Sequence, residues 1–348
     1  MSRSDRRRIL AVGVVLAAIF ALLIMAVVLR IRSAPEVARL LPQCEGIFYT
    51  NLKPIRAFTS FGSKPANWSP EYRTFVDQTG FQFERDLDEV AFAMHAPPDA
   101  EHETRYSEVM VGRFDSQKVS DFLTRNARSR ESYRGQEIFL IPYEDRIIRV
   151  AMLSLDMIAV SNTGDAAQID QIIDQFRHSA FAATGPQLLR VRYHNVPFGS
   201  VAWLITEVAS AHGISLSDNI SPLPFVRQLF GGGVVVGSAR YNGNILLRAD
   251  DYLKDASTAK DRADQLQNLL ALYKTTSEQT RPEHPDPDLD AALNSLKVEQ
   301  KDDRVEVSAS IPSKLVEKVF ESPLESEPAT IAPAAPAEKA RSKRHRKR

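Results

Sequence analysis

The chain has 348 residues, with 44 Lys and Arg balanced by 44 Asp and Glu, and 43% of its residues are apolar. That length and apolar share exclude a disordered or fibrous class and leave room for one large domain or two smaller ones. A single cysteine excludes an intrachain disulfide framework and a cysteine-built zinc site.

Taken in chain order, residues 1–8 form a basic segment with Arg3, Arg6, Arg7 and Arg8. Residues 9–29 (ILAVGVVLAAIFALLIMAVVL) carry no charged or polar side chain. At about 1.5 Å per residue, such a run makes a helix of about 30 Å, the thickness of a bilayer's hydrocarbon core. The run predicts a transmembrane anchor. It exceeds the ~7–15 apolar residues of a secretory signal, and Arg32 and Pro35 spoil a cut after Ala34. Cys44 follows Gln43 and lies well beyond the run, so it is not a lipidation site. The arginines at the start favour a cytoplasmic N-terminus and an extracytoplasmic body in the cell inner membrane.

After a juxtamembrane segment at 30–44, the body reads as two α+β lobes, 45–180 and 181–320. In the first, Glu45–Leu52 is a strand ending at Pro54. Ser69 caps a helix from Pro70 to Gln78, stopped by Gly80. Val90–His95 is a strand and 97–103 a polar loop. Glu108–Phe114 is a strand, and Asp115 or Ser116 caps a helix over 117–128. Gln136–Ile141, Ile147–Leu153 and Met157–Ser161 are strands. Asp165–His178 is an amphipathic helix with Ile169, Ile172, Ile173 and Phe176 on one face.

The second lobe opens with Val191–Tyr193. Asn195 then caps an apolar helix through Val201, Trp203, Leu204 and Val208 to Gly213, either buried or lying on a membrane surface. Asn242-Gly243 between VVVGSARY and NILLRADD predicts a two-residue type I′ hairpin. Helices follow over 258–274 and 288–295. A second hairpin turns at Asp302-Asp303, and Pro312 starts a last helix to Phe320. Hairpins and helices without βαβ spacing give an α+β class of antiparallel sheets with packed helices.

Residues 321–338 are a Pro- and Ala-rich spacer with too little apolar bulk to pack. Residues 339–348 hold seven cations and no acid. With +5 over residues 1–32 and +7 in this tail, residues 33–338 carry −12. The tail residues Arg341, Lys343, Arg344, Arg346, Lys347 and Arg348 are candidates for contact with an anionic envelope polymer or lipid headgroups. They would meet nucleic acid only if the tail were cytoplasmic.

Three fragments suggest serine acyl transfer: Ser257-x-x-Lys260, Ser217-Asp218-Asn219 and Lys274-Thr275-Thr276. The first two stand in the reverse of the usual order and the third lacks its glycine. Asp286, Asp288 and Asp290 start like a calcium loop but continue with Ala291 and Lys297 where Gly and Glu are needed. His95, His102, His178, His194, His212, His284 and His345 show no metal-ligand spacing. Gly231-Gly232-Gly233 precedes a strand and lacks a phosphate-loop lysine. No cofactor is expected.

The Leu41-Pro42 entry to the first strand, Thr79-Gly80-Phe81 leading to Asp86-Leu87-Asp88-Glu89-Val90, Val111–Asp115 and Tyr133–Ile138 resemble a group of single-pass bacterial envelope proteins. The resemblance covers about the first half. It implies an N-terminal anchor, an extracytoplasmic α+β body and no particular activity. The reading is an anchored binding or scaffold protein without catalysis. The alternatives are a hydrolase using Ser257 and Lys260, or a cytoplasm-facing protein whose tail holds nucleic acid.

Overall fold

The computed structural model describes residues 33–58, 69–95, 105–143, 146–178, 185–207, 233–279, 286–315 and Lys318. The protein is α+β. Among these residues twelve strands form one sheet in the order β11-β12-β10-β9-β8-β1-β2-β3-β7-β6-β5-β4, with antiparallel neighbours throughout. The strands are β1 Gly46–Asn51, β2 Leu87–His95, β3 Arg105–Gly112, β4 Ser129–Tyr133, β5 Gln136–Tyr143, β6 Arg146–Met152, β7 Met157–Ser161, β8 Ala202–Glu207, β9 Val234–Tyr241, β10 Asn244–Tyr252, β11 Lys297–Lys301 and β12 Arg304–Pro312. Residue 180, the expected lobe boundary, lies outside the described residues, and strands on both sides of it enter the same sheet.

The chain repeats one path on each side of the β1–β8 pair. Three strands meander outward (β1-β2-β3; β8-β9-β10), helix follows, and later strands return so that the last lies beside the third (β7 on β3; β12 on β10). β1 finishes and β8 begins at the same end, the lower end of the sheet. The Asp302-Asp303 turn is at the upper end.

Helices cover both faces. On one face α1 Glu36–Arg39, α6 Ala167–His178 and α7 Gln187–Arg192 enclose Ile47, Tyr49, Val109, Ala159, Trp203 and Ile205. On the other, α3 Pro70–Thr79, α4 Phe83–Asp86 and α5 Ser116–Asn126 pack with Val90, Met110, Phe139 and Ile158, and α2 Leu52–Phe58 contacts β2. At the far side of that face α8 Ala256–Gln279 places Ala259, Ala263 and Leu266 on Val305, and α9 Pro287–Asn294 lies against β12.

Local signals explain much of this. Ser69 accepts from Tyr72 N at 3.2 Å, and Gly80 closes α3 at φ 71°. Asp115 caps α5 through Gln117 N and Lys118 N. Ile169, Ile172 and Ile173 are buried as the helical period requires.

Two expectations need correction, and β4 is an added strand. Residues 202–207 are a strand, not part of a helix. Trp203 and Ile205 are buried on one face while Leu204 lines the other, and strands flank both sides, so apolarity without period marks a central strand here. At the opening of the expected second lobe, α7 runs into a 3₁₀ turn, Tyr193–Asn195. The type I′ conformation belongs to Arg134-Gly135 (φ 47° and 80°), between β4 and β5. At Asn242-Gly243 only the glycine takes positive φ. β4 itself (SRESY) escaped the hydrophobic pattern because it is a polar edge strand. Pro312 ends β12, and helix follows directly at 313–315, as expected.

The proposed anchor, the 97–103 loop, residues 208–232 with Ser217-Asp218-Asn219, and the tail from 319 lie outside the described residues. No helix among the described residues is long and apolar enough to cross a membrane.

The strand assignment predicts opposite fates for neighbours in β8. Ile205→Ala should destabilise the protein by about 2–5 kcal/mol, and Leu204→Ala by less than half of that, as read by urea unfolding. Equal losses would contradict the two-sided placement.

Candidate functional site

The β1–β8 pair builds the site. Tyr49 faces Trp203 across it, and their rings stack with centroids 5.3 Å apart. Tyr193, from the turn after α7, meets the same Trp203 edge-on at 5.5 Å. Tyr49 donates from its hydroxyl to Glu89 at 3.1 Å, and burial together with the Glu89 carboxylate holds its phenol above the ordinary range. These rings floor a cleft of about 630 Å³ bounded by Ser33, Pro35, the 193–200 turn and Arg248.

The wall is a tight loop. Gly199 takes φ 78°, a conformation that a side chain would strain, and Ser200 donates to the Pro197 carbonyl at 2.6 Å. Phe198 stands at its tip, 73% exposed. Opposite, Arg248 is held by Asp250 at 2.8 Å and Glu306 at 2.9 Å, while Arg304 also reaches Asp250 at 3.4 Å. Paired this way, Arg248 gives the cleft a fixed polar rim more than a free cation. The cleft can take a small amphipathic ligand: aromatic floor, polar edge, and hydroxyl and amide groups from Ser33, Asn195 and Ser200.

The opposite face carries a shallower trough of about 350 Å³ between α2–α5 and α8–α9. Its floor is apolar, with Phe48, Leu204 and Leu247 beside the small residues Ala202, Gly237, Ala239 and Ala249.

A second constellation is more chemical in kind. His95 Nε2 lies 2.9 Å from Ser107 Oγ, and hydroxyls continue through Ser161 (3.2 Å) to Thr163 (2.8 Å). A serine against an imidazole is the arrangement of nucleophile activation. Here Ser107 and Ser161 are fully buried and Thr163 nearly so, so no substrate reaches them. Burial also holds His95 below its ordinary pKa, against the backbone of Gln43, which raises it. The chain of hydroxyls ties β2, β3 and β7 together.

The expected catalytic fragments are not assembled. Ser257 and Lys260 are exposed on the first turns of α8, and Lys260 pairs with Asp264 at 3.1 Å. Asp255, not Ser257, accepts from Thr258 N at 2.8 Å and caps that helix. Lys274-Thr275-Thr276 lies within α8, not on a strand. Asp286 caps α9 through Asp288 N, and the Lys318 ammonium sits 2.9–3.1 Å from both carboxylates. Among the described residues no group of three His, Cys, Asp or Glu could hold a metal. Burial pushes the Cys44 thiol up to about 12, which leaves it inert at neutral pH. The basic tail residues lie outside the described residues.

One half-buried carboxyl was not foreseen. Glu108 stands in register between Phe92 and Val160, and burial pushes it up to about 7. A carboxyl raised above its ordinary 4.5 favours folding most below that value. Its contribution is lost as pH climbs toward about 7. Glu108→Gln removes this dependence. Relative to the variant, the parent chain should lose about 2 kcal/mol between pH 4.5 and 7.5 in urea unfolding. A constant difference across that range would refute the burial of the charge.

No protein-family model matches the chain, and no curated protein does. Solved structures of TP0453 are similar to it. Crystal form III aligns with a TM-score of 0.47 and 11% identity over 82% of this chain and 98% of that one. Crystal form IV gives 0.43 and 10% over 84% and 99%. At these values they carry no functional information.

Proposed function

We propose that the protein is a membrane-anchored binding protein of the bacterial cell envelope. Residues 9–29 span the inner membrane, the body lies outside the cytoplasm, and no covalent chemistry is performed. The observation that carries this reading is the position of the aromatic-floored cleft. Ser33 and Pro35 line it, and Ser33 follows the apolar run by only four residues. Four residues span at most about 14 Å, so the cleft opens beside the bilayer. Its ligand is a small amphipathic molecule met at the membrane surface, held by stacking on the Tyr193–Trp203 side and by the polar rim. The basic tail, on its spacer, adds a contact to lipid headgroups or an anionic envelope polymer.

Topology tests this directly. Alkaline phosphatase and a fluorescent protein, each fused after Phe320, are compared in a bacterial host. Phosphatase activity without fluorescence is expected. Fluorescence without phosphatase activity would reverse the orientation and make the tail a cytoplasmic, nucleic-acid-facing element. The latter contact should then weaken log-linearly with salt.

A further inference from the structure

The two most exposed large apolar side chains among the described residues are Leu155, at 77%, and Phe198, at 73%. Singly, such exposure is ordinary. These two share an end of the sheet. Phe198 tips the loop that enters β8, and Leu155 tips the bend from β6 to β7. β8 begins and β7 begins at the same lower end, because both register through β1, β2 and β3. Four strand spacings of about 4.8 Å separate them, roughly 19 Å.

Three exposed cations stand at that end as well. Lys53, Arg85 and Arg113 sit where β1 finishes, where β2 begins and where β3 finishes, with side chains 56%, 56% and 66% exposed. The acids they pair with, Asp86 and Asp88, are tucked inward at 8% and 7% exposure. Exposed Asp115 and Asp156 stand at this end too, Asp156 beside Leu155, so the three cations are the outer partners of their own pairs within a mixed rim. Exposed apolar tips with long cationic side chains beside them suit contact with an anionic headgroup layer. Chain continuity points the same way. Ser33 lines the same cleft as the Phe198 loop, four residues from the apolar run, and β12 ends at Pro312 at this same end.

We propose that the lower end of the sheet rests on the anionic bilayer that anchors the chain, with Phe198 and Leu155 seated in the headgroup layer. The strands then stand upright and the Asp302-Asp303 turn points away from the membrane, 20–30 Å above it at about 3.3 Å per residue. The inference rests on the anchored reading and adds the orientation of the body and the residues that set it.

The test uses the full chain in vesicles of phosphatidylglycerol and phosphatidylcholine carrying headgroup-proximal nitroxide lipid. Phe198→Cys, Leu155→Cys and Asp303→Cys are each labelled with an environment-sensitive fluorophore. Cys44 stays in place, and the parent chain taken through the same labelling gives the blank for it. Labels at 198 and 155 should be quenched at least twofold and blue-shifted, with the label at 303 unchanged. Equal quenching at all three sites, or none at 198 and 155 in vesicles that retain the chain through carbonate washing, overturns the docking and leaves the anchor standing. Loss of the chain in the wash overturns both. A wild-type chain whose Lys53 is as reactive to acetylation in vesicles as in detergent would overturn the docking without any cysteine variant.

Discussion

The pairing of β1 with β8 is the constraint on which the rest depends. It joins residues 46–50 to 202–206, so the two outward meanders share a centre and become one sheet. It brings Tyr49 and Trp203 into stacking contact, which floors the cleft, and sets Phe48 beside Leu204, which floors the trough. Gly46 accommodates it at one end: a Cβ there would press on Met94 and on Thr206, its own partner in the pair. α1 and α7 then close over the joint from one side, and the polar ladder of Arg248, Asp250, Glu306 and Lys301 finishes that face where helices no longer cover it.

Elements with local signals could be read from the sequence. A capping serine before Pro70, the isoleucine period in α6, and alternation into the Asp302-Asp303 turn each state a structure within a dozen residues. β8 could not be read this way. A strand with apolar side chains on both faces loses its alternation, and a short apolar run then fits a helix equally well. β4 failed for the opposite reason, having almost nothing to bury. The turn type at Asn242-Gly243 differs from the expected one because Asn-Gly only permits two left-handed residues, whereas Arg134 is driven into that region by the β4–β5 register.

The cleft was invisible in sequence for a simpler reason. Ser33, Tyr49, Tyr193 and Trp203 come from four separate stretches, and no spacing links them until the sheet closes. The His95–Ser107–Ser161 chain is of the same sort. Its members sit on three adjacent strands and become neighbours only through register. Motifs that were visible, around Ser257 and Asp286, proved to be the furniture of helix starts: a surface ion pair, a capped turn, an ammonium between two carboxylates.

The joint at the centre of the sheet also fixes an order of events during synthesis. β1 and β2 emerge early and can pair at once, but the other edge of β1 waits for a partner about 150 residues further along the chain. At some 5–20 residues per second that edge stays open for about 10–30 s on the ribosome. During that interval Phe48, Tyr49 and a full row of backbone donors and acceptors are bare at an edge that the finished protein covers, while its permanent edges, β4 and β11, are rich in charge. The nascent chain is therefore most open to mispairing in the middle of its own production, and a chaperone that shields β1 for those seconds would protect the whole sheet.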